Sequence, residues 1–174
     1  MARRFGASTP LSPERASDPA AVREAALKLI ERMRRTRRDL TKRLIDKGYV
    51  APVVDEILDR LTAVGLVNDV EYARAFLRGR WGRRAAGWRR LEMDLRGRGI
   101  AADDIDRARA ALEQEIGEVD EAASARRVIE QAERRYARLD PRTRRQRLYA
   151  LLQRRGFDGD VIRRALALPA GESS

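Results

Sequence analysis

The chain has 174 residues, 38 of them basic and 27 acidic, with a formal net charge of +11 and neither cysteine nor histidine. The missing cysteine and histidine exclude disulfides, thiolate metal sites and the Ser-His or Cys-His pairs of many hydrolases, while the charge favours a polyanionic partner. No apolar run approaches the roughly 20 residues of a membrane span, and no apolar N-terminal stretch marks secretion, so we expect a cytoplasmic protein without membrane contact.

The chain begins with a predicted flexible tail, residues 1–18, which contains proline, glycine and three serines. A three-helix unit is predicted for residues 19–67. Each of its helices has a start signal, namely an N-cap before proline, a capping box with Asp in place of Glu, or a proline in the first turn. These signals are Asp18–Pro19, Thr36 with Asp39, and Pro52.

A second three-helix unit is predicted for residues 68–116. Asn68 and Glu71 form a capping pair at its start, and the following apolar residues recur with helical period. Its later helices are expected to begin near Gly87 and Ala102.

A third unit is predicted for residues 117–168, followed by a C-terminal tail, residues 169–174. Its first helix begins near Asp120, Asp140–Pro141 caps the second, and a short last helix begins at Gly159. The predicted fold class is therefore all-α.

One local pattern recurs where the second helix of each unit ends. A basic residue, a glycine and an apolar or aromatic residue follow one another in Lys47–Gly48–Tyr49, Arg98–Gly99–Ile100 and Arg155–Gly156–Phe157. A glycine just past a helix end takes a positive φ and closes a Schellman motif, in which the next residue packs back onto the helix. The expected pairs are Leu44 with Tyr49, Leu95 with Ile100, and Leu152 with Phe157. We therefore predict a structural role for the three glycines.

Beyond these glycines, ordered motifs extend along the chain. They are Ala26–Ile30, Arg38–Leu40, Lys47–Tyr49, Leu58–Leu61, Gly65–Asp69, Tyr72–Phe76, Arg98–Ile100, Leu151–Phe157 and Val161–Leu166. In their order and spacing they resemble the RecX family, regulators of the RecA recombinase, over about residues 20–167.

The resemblance implies an elongated, curved array of three tandem three-helix repeats. It also implies a regulator, mainly an inhibitor, which binds the groove of the RecA–ssDNA filament and suppresses ATP hydrolysis and strand exchange. The expected partners are this filament and, by direct contact, single- or double-stranded DNA. A monomer is expected, and no cofactor.

Three basic windows are candidates for partner contact. Each window contains seven basic residues, and the windows are Arg32–Arg43, Arg74–Arg90 and Arg134–Arg147. The first and third contain one acidic residue each, and the middle window contains none. Each covers the end of a first helix and the start of a second, which predicts a recurrent basic edge suited to a periodic polyanion. For any single window, a solvated helix surface is the alternative. The candidate contact residues are Arg32, Arg34, Arg35, Arg37, Arg38, Arg74, Arg78, Arg80, Arg83, Arg84, Trp88, Arg89, Arg90, Arg142, Arg144 and Arg145.

The two tryptophans are open to two interpretations. Trp81 lies inside the middle basic window and Trp88 near its end, so stacking on an exposed base is one hypothesis, with Trp88 the better candidate. Packing at the junction between units is the other, and it is favoured for at least one of the two.

Two other function classes are alternatives. A stand-alone basic helical DNA-binding protein is the alternative, because small three-helix units can resemble helix-turn-helix modules. A metal-dependent hydrolase ranks last. Asp103, Asp104 and Asp106 are better explained by the positive end of a helix than by a metal site, and no phosphate-binding loop or catalytic constellation occurs. We therefore expect neither a bound metal nor an enzyme.

Overall fold

The computed structural model describes residues 11–81 and 86–167. These residues form ten α-helices and no strand, which confirms the all-α class. None of these helices is long and apolar enough to cross a membrane. The helices are α1 (Pro13–Ala16), α2 (Pro19–Arg32), α3 (Arg37–Asp46), α4 (Ala51–Ala63), α5 (Asp69–Arg78), α6 (Trp88–Gly97), α7 (Ala102–Ile116), α8 (Glu121–Tyr136), α9 (Pro141–Arg154) and α10 (Gly159–Ala167).

The first of two compact units extends to Tyr72 and includes Arg98–Ile100. Asp18 caps α2 as predicted, its carboxylate accepting a hydrogen bond from the backbone N–H of Ala20 at 2.9 Å. Helices α2, α3 and α4 pack around a common aliphatic core, and its fully buried members are Val22, Ala26, Leu40, Leu44, Val54 and Leu58.

Part of the predicted N-terminal tail belongs to this unit. Ser12 caps α1 by accepting a hydrogen bond from the backbone N–H of Arg15, and Ala16 is buried. The Ala16 carbonyl accepts from the backbone N–H of Val50 at 3.0 Å, while Leu11 packs against the core. Leu11 and Ala16 of the predicted tail thus pack on the first unit, because the serine and proline of this stretch also supply a helix start signal.

The second unit consists of Ala73–Gly97 and the residues from Ala101 onward. In its C-terminal part, α8, α9 and α10 enclose a core in which Ala125, Leu152 and Ile162 have no exposed surface. Its N-terminal part buries the apolar faces of α5, α6 and α7. The predicted C-terminal tail, residues 169–174, lies outside the described residues.

The helix-ending glycines have the predicted backbone conformation, with φ of 95° at Gly48, 83° at Gly99 and 82° at Gly156. In the first motif the Tyr49 N–H donates to the Leu44 carbonyl at 3.1 Å, and in the third the Phe157 N–H donates to the Leu152 carbonyl at 3.2 Å. Both apolar pairs are buried in the core of their own unit, so these two Schellman motifs are confirmed. In the middle motif the glycine has the predicted φ, and both apolar residues are buried.

Candidate functional site

The arginines between α2 and α3 are of two kinds: some are exposed, and others are bound to groups of the protein itself. Arg32 and Arg34 are exposed and form no ion pair with any described residue. Arg35 retains 11% of its side-chain exposure, its Nη1 lies 2.7 Å from Asp39 Oδ2, and its Nε donates to the Leu29 carbonyl at 3.2 Å. Arg32 and Arg34 are therefore available to a partner, whereas Arg35 closes the end of α2.

The next two arginines, at the start of α3, are also anchored within the first unit. Arg37 donates its backbone N–H to Asp69 at 2.9 Å, and its guanidinium lies 2.7 Å from an oxygen of Asp59. The stem of Arg38 lies against Gly99, where an added Cβ would come within 2.7 Å of the Arg38 Cβ. Packing thus fixes the base of Arg38, although the residue as a whole is exposed.

Between these arginines, Thr36 is a buried cap with 3% exposure. Its hydroxyl accepts from the Asp39 N–H at 3.2 Å and donates to the Arg98 carbonyl at 3.0 Å. We expect Thr36→Val to lower the free energy of unfolding by about 2 kcal/mol, because a cap is lost and a carbonyl loses its donor. Thr36→Ser should retain most of that stability. Equal losses for both variants in urea unfolding would contradict this role for the hydroxyl.

Four described arginines of the middle window interact within the second unit. Three pair with carboxylates, namely Arg78 with Glu115, Arg89 with Asp158, and Arg90 with Asp94. Arg80 lies 4.0 Å from the centre of the Phe76 ring, and Arg74 is half-buried. Arg83 and Arg84 lie outside the described residues. Exposed ion pairs contribute little stability, so these arginines can exchange their partners for those of a ligand.

The two tryptophans pack together, with ring centroids 5.1 Å apart. Trp81 is buried, at 3% exposure, and Trp88 is half-buried. The Arg109 guanidinium lies 5.0 Å from the centre of the Trp81 ring and 4.5 Å from that of Trp88. Trp81 is therefore a packing residue, which agrees with the interpretation favoured for one of the two. The contact role of Trp88 stays a prediction, and part of its ring already faces Arg109.

Glu121, at the start of α8, joins the two tryptophans. One oxygen, Oε1, accepts from the indole N–H of Trp81 at 3.1 Å and from the backbone N–H of Trp88 at 2.9 Å. Burial raises the pKa of Glu121, against the opposing effects of these hydrogen bonds and of Arg109. The sequence pattern did not reveal this residue, because a glutamate in the first turn of a helix is ordinarily explained by the helix dipole.

Four of the seven bases of the third window lie on α9, the one described helix that contains no acidic residue. Arg142, Arg144 and Arg145 all occur in its first two turns, and none forms an ion pair with a described residue. The nearby acid, Asp140, is used as the N-cap and accepts from the backbone N–H groups of Arg142 and Thr143 at 3.1 and 3.0 Å. The charge of this window is therefore not neutralised within the described residues.

The three windows do not all belong to one unit. The first lies in the first compact unit, and the described part of the middle window and all of the third lie in the second. A single recurrent basic edge therefore stays a prediction.

The acidic cluster lies at the positive end of a helix, since Asp103 and Asp104 are in the first turn of α7. Asp104 also pairs with Arg107.

Comparisons with known proteins cover most of the chain. Models of the first, second and third three-helix domains of RecX match residues 23–61, 68–108 and 118–166. The regulatory protein RecX of Halorhodospira halophila is 39% identical over 149 residues, which is 84% of this chain and 87% of that protein. The regulatory protein RecX of Mycobacterium ulcerans is 33% identical over 154 residues, 86% of each.

Solved structures show the same fold. The crystal structure of RecX from Lactobacillus salivarius superimposes with a TM-score of 0.75 at 20% identity, covering 86% of this chain and 94% of that one. A second crystal structure, of a regulatory protein RecX, gives a TM-score of 0.76 at 24% identity and covers 95% of this chain and 84% of that one. These similarities confirm the three tandem three-helix domains predicted from the sequence.

Proposed function

The chain belongs to the RecX family of regulatory proteins, and on that premise we propose that it regulates the RecA recombinase, mainly as an inhibitor. It is a regulatory protein and not an enzyme. In this proposal it binds as a monomer in the groove of the RecA–ssDNA filament, in the cytoplasm, and suppresses ATP hydrolysis and strand exchange. The observation that carries the proposal is the match of all three of its domains to RecX.

Unpaired arginines support a polyanionic partner. Arg32 and Arg34 in the first unit, and Arg142, Arg144 and Arg145 in the second, are not neutralised by any described carboxylate. Unpaired guanidinium groups attract phosphates and acidic protein surfaces and form bidentate hydrogen bonds with them. We assign the same contact role to the other basic candidates and to Trp88. The three repeats, 19–67, 68–116 and 117–168, act in this proposal as its functional domains.

The proposal is tested by ATP hydrolysis on a preformed RecA–ssDNA filament, titrated with the protein at fixed salt. We expect the hydrolysis rate to fall at molar ratios well below one molecule of this protein per recombinase. The reason is that a protein that bridges protomers in a groove affects more than one of them. An unchanged rate, together with tight binding to naked DNA, would contradict the proposal and favour a stand-alone DNA-binding protein.

A charge-reversal pair refines this test. In Arg32→Glu/Arg34→Glu, two exposed, unpaired arginines of the first window become acidic, so the concentration needed for half-maximal suppression should rise about tenfold or more. Arg15→Glu/Arg23→Glu is the matched control, since both residues are exposed, form no ion pair with a described residue and lie outside the windows. Equal effects of the two pairs would mean that net charge alone matters, and not the first window.

A further inference from the structure

A cavity of about 290 Å³ lies between α8, α9 and α10 in the second unit. Its apolar wall is formed by Ile129, Leu148 and Ala165, all of which are buried and belong to the core of these three helices. The volume is at the lower end of the roughly 300–1,000 Å³ of small-molecule sites. The cavity therefore suits one flat, partly apolar group better than a large ligand.

Four of the charged residues around this cavity, two on each of two helices, form no ion pair with a described residue. Arg144 and Arg145 line it from α9, and Glu130 and Glu133 line it from α8. The side chain of none of the four forms an ion pair or a hydrogen bond with another described residue. Arg126 also lines the cavity, but it interacts with Asp120 at 3.4 Å. Two guanidinium groups and two carboxylates thus surround one apolar wall without neutralising each other.

This set of groups selects among ligands. The arginines require an anion, the carboxylates require a hydrogen-bond donor, and the wall requires a flat apolar surface. Acidic side chains of a peptide would satisfy the arginines, but they supply neither a flat surface for the wall nor a hydrogen-bond donor for Glu130 and Glu133. A nucleotide meets all three requirements with different parts of the molecule. Its phosphates are anionic, its base is flat, and the exocyclic amines of cytosine, adenine and guanine donate hydrogen bonds.

We propose that this cavity binds one unstacked base of single-stranded DNA that has an exocyclic amine. Arg144 and Arg145 contact the phosphates on either side of the base, and Glu130 or Glu133 accepts a hydrogen bond from its amine. Thymine has a carbonyl oxygen where cytosine has the exocyclic amine, so oligo(dT) binds more weakly than oligo(dC), the other pyrimidine strand. The proposal rests on the proposed function only in taking the filament's strand as the natural ligand.

The test is fluorescence anisotropy of the full chain with labelled oligo(dC) and oligo(dT) of equal length over a salt series. We expect oligo(dC) to bind about tenfold more tightly, a difference of about 1.4 kcal/mol, which is within what one good base contact contributes. In Glu130→Gln/Glu133→Gln this preference should fall at least threefold, because the acceptors lose their charge. In Arg144→Ala/Arg145→Ala the affinity for oligo(dC) should fall about tenfold. The salt slope should fall by about 1.4, at about 0.7 for each phosphate contact.

The matched control is Arg154→Ala/Arg164→Ala. These two arginines, on α9 and α10, are exposed and unpaired among the described residues, lie outside the three basic windows and do not line the cavity. The control should lose less than about threefold in affinity and keep the preference for oligo(dC). Equal losses for both arginine pairs, or equal binding of the two strands by the unmodified protein, would overturn the proposal.

Filament assays separate this proposal from the proposed function. If Arg144→Ala/Arg145→Ala abolishes suppression of RecA ATP hydrolysis while its oligonucleotide affinity is unchanged, the cavity binds a protein segment and the base site is wrong. If the oligonucleotide results are as expected but the unmodified protein does not suppress hydrolysis, the base site stands and the RecA proposal fails.

Discussion

Gly156→Ala is expected to lower the free energy of unfolding by about 3 kcal/mol. The residue has a φ of +82°, and an added Cβ would lie 2.5 Å from the backbone nitrogen and the Cβ of Arg90. The left-handed conformation costs about 1–2 kcal/mol for a residue with a side chain, and forced overpacking about 1–3 kcal/mol more. Urea unfolding, monitored by circular dichroism, measures the sum of these two costs.

Gly156 cannot move away from Arg90 without losing backbone hydrogen bonds. Its carbonyl accepts from the Arg89 N–H at 3.2 Å, and the neighbouring Arg155 carbonyl accepts from the Gly87 N–H at 2.9 Å. Gly87 is constrained by the same approach, since a Cβ there would lie 2.5 Å from the Phe157 Cα. Gly87→Ala should therefore be destabilising by overpacking alone, even though this glycine is not among those with positive φ.

Gly48→Ala is the matched control, because it alters the same motif in the first unit. Gly48 has a φ of +95°, but the nearest atom to an added Cβ, a side-chain carbon of Leu11, is 3.8 Å away. We expect a loss of only about 1–2 kcal/mol, the conformational part of the cost. If Gly48→Ala and Gly156→Ala were equally destabilised, the close approach to Arg90 would have no energetic consequence.

Helix starts were the most predictable part of this fold, because a cap is a local interaction. Asp18, Thr36 and Asp140 each accept a hydrogen bond from a backbone N–H two or three residues further on. A sequence pattern contains both partners of such a bond. The contact of Gly87 with Arg155 joins residues far apart in the chain, so no local pattern could indicate it.

The candidate contact surface was less predictable for the same reason. Composition located the basic windows, but it could not show which arginines meet a distant carboxylate. Arg78 and Arg89 lie in an acid-free stretch of sequence, yet both pair with acids of later elements, Glu115 and Asp158. On α9, by contrast, the absence of acids in the sequence does correspond to arginines without ion pairs.

Glu121→Ala should lower the free energy of unfolding by about 3 kcal/mol. The indole N–H of Trp81 and the backbone N–H of Trp88 would lose their common acceptor, and an unsatisfied buried donor costs about 1–3 kcal/mol. These are the two tryptophans of the chain, so their fluorescence reports directly on this cluster. A native-like emission spectrum and stability for Glu121→Ala would contradict the role of the carboxylate as a shared acceptor.

Glu121→Gln keeps the hydrogen-bond acceptor and removes the negative charge of the carboxylate. The sign of its effect on stability follows from the direction of the pKa shift of Glu121. Burial raises the pKa of Glu121 above its ordinary value of 4.5, despite the Trp81 hydrogen bond and the nearby Arg109, while the Asp158 carboxylate raises it further. A raised folded-state pKa means that ionisation opposes folding. The stabilising contribution of the protonated form is therefore complete below the unfolded-state pKa and is lost as pH rises through the folded-state pKa.

Glu121→Gln keeps an acceptor oxygen and cannot ionise, so at pH 7 it should be at least as stable as the unmodified protein. Its advantage should shrink as pH falls towards the ordinary glutamate pKa, because the unmodified carboxyl group then becomes neutral as well. Urea unfolding at several pH values, with tryptophan emission as the signal, measures this difference. If Glu121→Gln were less stable than the unmodified protein at pH 7 by more than about 1 kcal/mol, attraction between the carboxylate and Arg109 would outweigh the cost of burial.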